Sequence, residues 1–343
     1  MSLINRLSAR LQNHPKRVVF PEGEDARIIK AARMFASRRL GVPILIGSRP
    51  KIEEQAKSME LPLDGIRILE IDKSDDFGDL LKILKGMPKF RQMEVSDVER
   101  FLRNPNYFAT MMLATARADA MVSGVTQSSA SSLRPVFQLI SLQKGFKTAS
   151  SMMIVETNNE KLGTNGLLFL SDCGVIPEPT EEQLADIAIT TAKLANHLTG
   201  EPSKVAMLSF VSKLQVAKTN SVLKVKAATA LVHQRAMSEA CEIEVDGELQ
   251  VDSALIPEAA KVRGINSSVA GKANVLIFPD LNSGNISSKF LSIVGCRTYG
   301  QIVTGLVKPF AEVPRSALTE DIFGAAVIVA AQAVDMKYLY PDS

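Results

Sequence analysis

The stretch RVVFPEGEDARIIKAARMFASRR, residues 17–39, gives the clearest indication of the fold class of this chain. Its first four residues, RVVF, end in an apolar run and predict a short buried strand. The residues from 24 to 39 place apolar side chains at helical spacing and predict a helix. A second apolar run, VPILIG at 42–47, predicts the next strand. A strand, a helix and a strand in this order predict a parallel pair covered by the helix.

The same alternation continues outward from this stretch. Further strands are predicted at 66–71, 119–124, 147–157, 165–172, 205–210, 241–249 and 274–278. Helices are predicted at the N-terminus with Leu3, Leu7 and Leu11 on one side, at 51–59, 75–85, 96–102, 106–118 and 181–198, and from about Thr319 onward. The pattern changes near residue 147, where two strands with a polar link between them look antiparallel. We therefore predict an α/β fold with a domain boundary near that residue.

Three helix starts carry specific capping signals. Ser96 with Glu99 and Thr180 with Gln183 each have the spacing of a capping box. Asn104 followed by Pro105 predicts an N-cap with proline at the first helical position.

The composition is that of an ordinary globular protein. The 343 residues are 46% hydrophobic and 22% charged, which excludes disordered and collagen-like chains and suggests about two domains. The net charge of +3 is too small and too dispersed to predict nucleic-acid binding. No apolar run reaches the length of a membrane span, about 18 residues.

The cysteines and histidines predict neither a disulfide framework nor a metal site. The three cysteines, Cys173, Cys241 and Cys296, are widely spaced and form no CxxC pair. Reduced thiols are typical of a cytoplasmic protein, which is the expected location. The three histidines are most simply solvated side chains, and no glycine-rich phosphate-binding or GxSxG signature is present.

The loop SGVTQSSASSLRP (123–135) is the first of three that could carry chemistry. It follows a strand end, where open parallel sheets bind ligands. The hydroxyls of Ser128 and Ser129, backbone N–H groups and Arg134 could together hold a phosphate. The alternative is a serine-rich helix start with a surface arginine.

Two later loops have similar features. The loop VAGKANVLIFPDLNSGN (269–285) places Asn282 and Asn285 after a strand, and an ordinary turn is the alternative. The loop GLVKPFAEVPRSALTED (305–321) places Arg315 and Asp321 near the start of the last helix. There an arginine could meet an anion while a carboxylate takes a proton. The alternative is a helix cap with a solvated ion pair.

These loops, read with the rest of the chain, resemble the phosphate acetyl/butyryl transferase family, whose phosphate acetyltransferases are also called phosphotransacetylases. The most specific strings are PEGEDAR (21–27), SGVTQSSASSLRP (123–135), EEQLADIAI (181–189), KVAMLSF (204–210), DGELQVDSALIPEAA (246–260), VAGKANVLIFPDLNSGNI (269–286) and GLVKP (305–309). The resemblance runs from the first strand to the last helix and fits the short, free-standing form of the family.

The resemblance implies a reaction, a fold and an assembly. The reaction converts acetyl-CoA and phosphate to acetyl phosphate and CoA, reversibly, with no cofactor and no metal. The fold is two α/β domains flanking a cleft, similar to isocitrate and isopropylmalate dehydrogenases, with the first domain built from 1–146 and 306–343 and the second from 147–305. The implied assembly is a homodimer.

The resemblance also implies roles for single residues. Asp321 matches the base that takes the thiol proton, and Arg315 matches the arginine that stabilises the transition state. Arg134 and Arg27 match substrate-binding arginines. Ser128, Ser129, Asn282 and Asn285 are the remaining candidates for substrate binding.

The chain departs from the family pattern in several places, among them Gln127 and Ala130, which replace the family's histidine and aspartate in the phosphate loop. Pro314 stands where the family has its catalytic serine, and Leu214 with Gln215 replaces a Gly-Ser loop. Proline has neither a hydroxyl nor a backbone N–H to donate. The leading hypothesis is therefore a phosphate acetyltransferase with a modified site. The alternative is a family member of weakened activity that binds acyl-CoA or phosphate as a regulatory protein.

Overall fold

The computed structural model describes residues 2–213, 219–236, 242–336 and 339. The helices are α1 (Leu3–Asn13), α2 (Ala26–Ser37), α3 (Arg49–Ser58), α4 (Phe77–Gly86), α5 (Val95–Leu102), α6 (Pro105–Ala114), α7 (Ser129–Leu139), α8 (Glu181–Thr199), α9 (Asn220–Ala236), α10 (Val251–Leu255), α11 (Pro257–Val262), α12 (Leu281–Ile293) and α13 (Thr319–Gln332), with a 3₁₀ turn at Ile71–Lys73. The strands are β1 (Lys16–Phe20), β2 (Gly41–Ile46), β3 (Arg67–Leu69), β4 (Ala120–Ser123), β5 (Ser150–Glu156), β6 (Leu167–Ser171), β7 (Ser203–Leu208), β8 (Ile243–Leu249), β9 (Val275–Ile277), β10 (Arg297–Thr304) and β11 (Phe310–Glu312).

The chain divides into two compact units. Unit 1 consists of Met1–Ser141 with Lys308–Val334, and unit 2 of Leu142–Val307 with Asp335–Ser343. The predicted α/β fold class is confirmed, because both units combine a sheet with helices. The domain limits given above, at 146 and 306, stay a prediction.

Unit 1 has a parallel sheet in the order β3-β2-β1-β4-β11. The predicted parallel pair at the start of the chain is confirmed, with Val18 opposite Pro43. Helix α13 packs on α1, α2 and β4, and its side chains from Ile322 to Gln332 are buried. Helix α1 buries its leucine face as predicted, and each buried leucine contributes about 1.5–3 kcal/mol.

Unit 2 has a mixed sheet in the order β10-β5-β6-β9-β7-β8. Strand β5 is antiparallel to both β10 and β6, and the strands from β6 to β8 are parallel. The predicted antiparallel pair after residue 147 is therefore confirmed. The long helix α8 is buried over most of its length against this sheet. Strands β10 and β11 were not predicted from the sequence.

Two of the three capping predictions are confirmed. Asn104 caps α6 by accepting hydrogen bonds from the next two N–H groups, and Thr180 with Gln183 forms the capping box of α8. The prediction for Ser96 with Glu99 is wrong. Helix α5 already begins at Val95, because the carbonyl of Glu94 accepts the first helical hydrogen bonds, so Ser96 lies inside the helix.

Three positions discussed above, Leu214, Gln215 and Cys241, lie outside the described residues. Among the helices that are described, none combines the length and apolar character needed to cross a bilayer.

Candidate active site

A buried carboxylate organises the loop that follows β4 in unit 1. Glu22, two residues after the end of β1, is only 8% exposed. Its Oε2 accepts hydrogen bonds from the backbone N–H groups of Gly124 at 2.8 Å and Val125 at 3.0 Å. Its Oε1 accepts from the N–H of Thr126 at 2.7 Å and from the same residue's hydroxyl at 2.8 Å. These N–H groups, which the sequence suggested for phosphate, are thus already bonded.

Arg27, on the first turn of α2, joins three segments of unit 1. Asp25 accepts from its Nε at 3.1 Å and from its Nη2 at 3.0 Å. Nη1 donates to the carbonyls of Arg315 at 2.7 Å and Ala317 at 2.9 Å, and Nη2 donates to the carbonyl of Val125 at 3.1 Å. A guanidinium has five N–H donors, so every donor of Arg27 is occupied.

The pKa values of this ion pair follow from its contacts. Burial alone would raise the pKa of Asp25, but the hydrogen bonds and charge of Arg27 outweigh it and hold that pKa below its usual value. The hydrogen bond to Asp25 raises the pKa of Arg27 further above its already high value. Both groups are therefore charged at neutral pH.

Gly124 allows the β4 loop to approach the segment after β11. Its φ is +116°, and a Cβ atom there would lie 2.3 Å from the carbonyl oxygen of Val313. Any other residue would push these two backbones apart.

The segment between β11 and α13 carries the two residues with predicted catalytic roles. A turn closes from the carbonyl of Pro314 to the N–H of Ala317 at 2.9 Å and leaves Arg315 exposed at its tip. The Oδ2 atom of Asp321 accepts the N–H of Leu318 at 2.8 Å and so caps α13. Within the described part of the chain, the Arg315 guanidinium and the Oδ1 atom of Asp321 have no hydrogen-bond partner.

The predicted phosphate residues lie on α7. Ser128 caps this helix, and Ser129 donates to Oε1 of Glu312 at 2.8 Å. Arg134 is exposed about 7.5 Å further along the helix axis. Across the residues that the structure describes, its guanidinium forms neither a hydrogen bond nor an ion pair. Its charge is available to a ligand.

A pocket of ≈ 450 Å³ lies at the carboxyl ends of the unit 1 strands. Its lining includes Glu22, Gly47, Thr126 and Gln127. The Oε1 atom of Gln127 accepts from the amide of Asn106 at 2.7 Å, which fixes the orientation of the glutamine. This is the edge at which parallel sheets bind ligands.

Unit 2 holds a second buried carboxylate at a strand end. Asp172, after β6, is 3% exposed and accepts hydrogen bonds from the N–H groups of Gly174, Val175 and Ile176. The N–H and the hydroxyl of Ser151 also donate to it, at 3.0 Å and 2.7 Å. This arrangement was not predicted from the sequence, and its only signal was a buried-type strand ending in Ser-Asp.

Neutral amides complete the unit 2 loop. Asn285 and Gln301 both donate to the carbonyl of Cys173, at 2.9 Å and 3.2 Å. Asn282 is exposed on the first turn of α12. Burial, together with the charge of Asp172, raises the pKa of the Cys173 thiol to about 12. That thiol stays protonated at neutral pH and is a poor nucleophile.

Acids, histidines and cysteines are not grouped for metal binding anywhere in the described ranges. The structure brings the segments of Arg27, Val125 and Arg315 together within unit 1. Asp321 follows on the next helix of the same unit, and Asn282 and Asn285 belong to unit 2.

Comparison with known proteins points to one family. A family model described as Phosphate acetyl/butaryl transferase matches residues 2–330. A phosphate acetyltransferase from Acetivibrio thermocellus is 37% identical over 338 residues, which cover 98% of this chain and 100% of the relative. A phosphate acetyltransferase from Clostridium acetobutylicum is 35% identical over 97% of this chain and 99% of the relative. A phosphotransacetylase crystal structure from Streptococcus pyogenes is similar with a TM-score of 0.88 and 32% identity, over 98% of this chain and 100% of that one.

Proposed function

Because this chain belongs to the phosphate acetyl/butyryl transferase family, we propose that it catalyses the reversible transfer of an acetyl group between CoA and phosphate. The chain is an acyltransferase, and the resemblance predicted from its sequence is confirmed. The substrates are acetyl-CoA and phosphate in one direction, and acetyl phosphate and CoA in the other. The role that follows is in acetate metabolism.

The observation that supports this proposal is a set of charged groups on unit 1 that are not bonded to other described residues. Within the described part of the chain, the guanidinium groups of Arg134 and Arg315 and the Oδ1 atom of Asp321 have no hydrogen-bond or ion-pair partner, whereas the Arg27 guanidinium is bonded to Asp25. Two cations and one carboxylate are what the reaction needs. The cations suit phosphate and the developing negative charge on the carbonyl oxygen, and the carboxylate suits a thiol proton.

In the proposed step the CoA thiol gives its proton to Asp321 as its sulfur attacks the carbonyl carbon of acetyl phosphate. A carbon–sulfur bond forms, the bond from that carbon to the phosphate oxygen breaks, and phosphate leaves on Arg134. Arg315 offsets the charge on the carbonyl oxygen while the carbon is tetrahedral. The proton on Asp321 then passes to phosphate or water, which restores the carboxylate.

A direct transfer also agrees with the state of Cys173. An acyl-enzyme formed on Cys173 would need a reactive thiol, and burial raises the pKa of this thiol to about 12. We propose Ser128, Ser129, Asn282 and Asn285 as substrate-binding residues, as the resemblance implies.

The second candidate, a weakened regulatory member of the family, is favoured by one position. Pro314 lies in the turn beside Arg315 and has no hydroxyl to donate in the transition state. Both candidate functions include binding of acyl-CoA or phosphate, and they differ in whether the protein turns over its substrates efficiently.

We also propose that the protein is a cytoplasmic homodimer. Helix α12 exposes Ile286, Phe290 and Ile293, and its C-cap residue Val294 is also exposed, with exposed fractions of 66%, 62%, 82% and 57%. These residues recur at helical spacing and form an apolar stripe on unit 2 that a second copy would cover. Light scattering would report the dimer mass, and Phe290→Asp is expected to shift it toward the monomer. A monomeric parent protein at micromolar concentration would contradict the dimer.

The experiment for the activity mixes the purified protein with acetyl phosphate and CoA and follows thioester absorbance and phosphate release. We expect both to appear in equal amounts and only when CoA is present. If neither the parent chain nor Pro314→Ser forms thioester, the enzyme proposal fails. Retained binding of acetyl-CoA in calorimetry would then support the regulatory candidate.

A further inference from the structure

We propose that Glu22 and Arg27 are positioning residues, which hold the loop 124–126 and the turn 314–317 in place, and that Arg27 does not bind substrate. This inference rests on the proposed function, because it concerns the same site. It reassigns the arginine that the resemblance implied as a substrate ligand.

The first argument is that Arg27 has no donor to spare. All its N–H groups point to Asp25 or to the backbone carbonyls of Val125, Arg315 and Ala317, at 2.7 to 3.1 Å. A phosphate could bind only by breaking bonds within this set. Each broken bond would leave a carbonyl or the Asp25 carboxylate without its donor, which opposes binding.

The second argument is that the two residues hold the same loop by opposite groups. The N–H of Val125 donates to Glu22 at 3.0 Å, and the carbonyl of Val125 accepts from Arg27 at 3.1 Å. The backbone N–H and the backbone carbonyl of Val125 are thus both held, the first by Glu22 and the second by Arg27. A loop held in this way keeps the N-terminus of α7, and hence Arg134, in one position.

The third argument concerns the turn that carries Arg315. Its backbone carbonyl and that of Ala317 accept from the same nitrogen, Nη1 of Arg27. The next residue, Leu318, donates to Asp321. Fixing this turn therefore fixes the backbone from which Arg315 extends and the cap that orients Asp321.

Kinetics separate a positioning role from substrate binding. We expect Arg27→Ala to lower kcat about a hundredfold, because misplacing reacting groups costs about that much. KM values for CoA and phosphate should change by no more than about threefold. Arg27→Lys keeps the charge but cannot reach all the carbonyls, so it should show most of the same loss. Arg33→Lys is the matched control, since Arg33 on the same helix donates to the carbonyl of Asp64 at 2.8 Å.

The opposite kinetic result would overturn the proposal. If Arg27 binds a phosphate group, its variants should raise KM for inorganic phosphate or for CoA and keep kcat. An effect on CoA that disappears with dephospho-CoA, which lacks the phosphate on the ribose, would assign Arg27 to that phosphate.

Hydrogen exchange tests the same inference without turnover. Arg27→Ala should speed amide exchange at Ala317 and Leu318, and Glu22→Gln should speed it at Gly124, Val125 and Thr126, by about tenfold or more. Glu24→Gln is the control, because Glu24 accepts the N–H of Ser48 at 2.9 Å instead.

Unchanged exchange in folded Arg27→Ala and Arg27→Lys would overturn the positioning role. A parent chain without activity would defeat the proposed function, yet the exchange result would still decide whether these two residues hold the loop and the turn.

Discussion

Units 1 and 2 each hold a buried carboxylate at the end of a strand, and the groups around the two carboxylates differ in charge. The Glu22 cluster (Glu22 with Gly124, Val125 and Thr126) bonds three successive N–H groups in unit 1. The Asp172 cluster (Asp172 with Ser151 and residues 174–176) does the same in unit 2. Both remove backbone donors from solvent at a sheet edge, and both are therefore local supports for a loop.

The difference lies in what completes each loop. In unit 1 the Arg27 guanidinium donates to the carbonyl of Val125, and among the described residues the guanidinium groups of Arg134 and Arg315 have no hydrogen-bond or ion-pair partner. In unit 2 the amides of Asn285 and Gln301 take the carbonyl of Cys173. A charged side chain thus completes the Glu22 cluster and neutral amides complete the Asp172 cluster, and the proposed function assigns the ionic steps to unit 1. The predictions below test that division.

The largest effect is expected at Asp321. Asp321→Asn should lower kcat about 10²- to 10⁴-fold, because an amide cannot accept the thiol proton. Its carbonyl oxygen can still accept the N–H of Leu318, so the helix cap survives. Initial rates of thioester formation measure the loss, and Glu320→Gln on the same turn is the control. If Asp321→Asn forms thioester at the parent rate, Asp321 is not the base.

Pro314→Ser tests whether the unit 1 edge lacks a donor. A serine hydroxyl beside Arg315 should raise kcat with little change in KM, by up to about 2–4 kcal/mol of transition-state stabilisation. The freer backbone should cost about 0.4–1 kcal/mol of folding stability. Thermal unfolding is measured alongside to separate the two. If the parent chain already turns over as fast as the relatives from Acetivibrio and Clostridium, another group supplies the donor.

The KM for phosphate in Arg134→Ala of unit 1 and in Asn282→Ala of unit 2 compares the two units directly. Arg134→Ala should raise KM for phosphate about tenfold to a hundredfold, because charge-assisted hydrogen bonds are lost, and should change KM for acetyl-CoA much less. Asn282→Ala in unit 2 is expected to leave KM for phosphate within about threefold of the parent value. Equal shifts of KM for both substrates in Arg134→Ala would indicate a general structural effect.

The smallest effect concerns stability and pH at Asp25. Its pKa is lowered by Arg27, so its contribution to folding is present above the unfolded pKa, about 4, and is lost as the pH falls through the lower folded-state value. Asp25→Asn should reduce the free energy of unfolding by about 1–2 kcal/mol at neutral pH. Urea unfolding at several pH values should show the two proteins converging in acid. A difference that persists at the lowest pH would mean that the ion pair is not its source.

Much of the fold was predictable because its strands and helices have regular patterns. Strand β1, helix α2 and strand β2 each show the apolar spacing of their class. Strand β10 was missed because its register shifts between Tyr299 and Ile302, which interrupts the alternation that marks a strand. Strand β11 is only three residues long and pairs with β4 across a wide separation in sequence, which no local pattern can show.

For the candidate site, too, some features could be predicted from the sequence and others could not. The family, the α/β class and the arginines and carboxylates available to the site could be predicted from the sequence, because these depend on residue types in order along the chain. The tertiary structure was needed to show that Arg27 is fully bonded and that Arg134 and Arg315 have no hydrogen-bond or ion-pair partner for their guanidinium groups among the described residues. It also revealed Glu22 as the support of the loop. Which carbonyls and N–H groups face a side chain depends on how distant loops fold together, and the same residue type can therefore hold a loop at one position and meet a substrate at another.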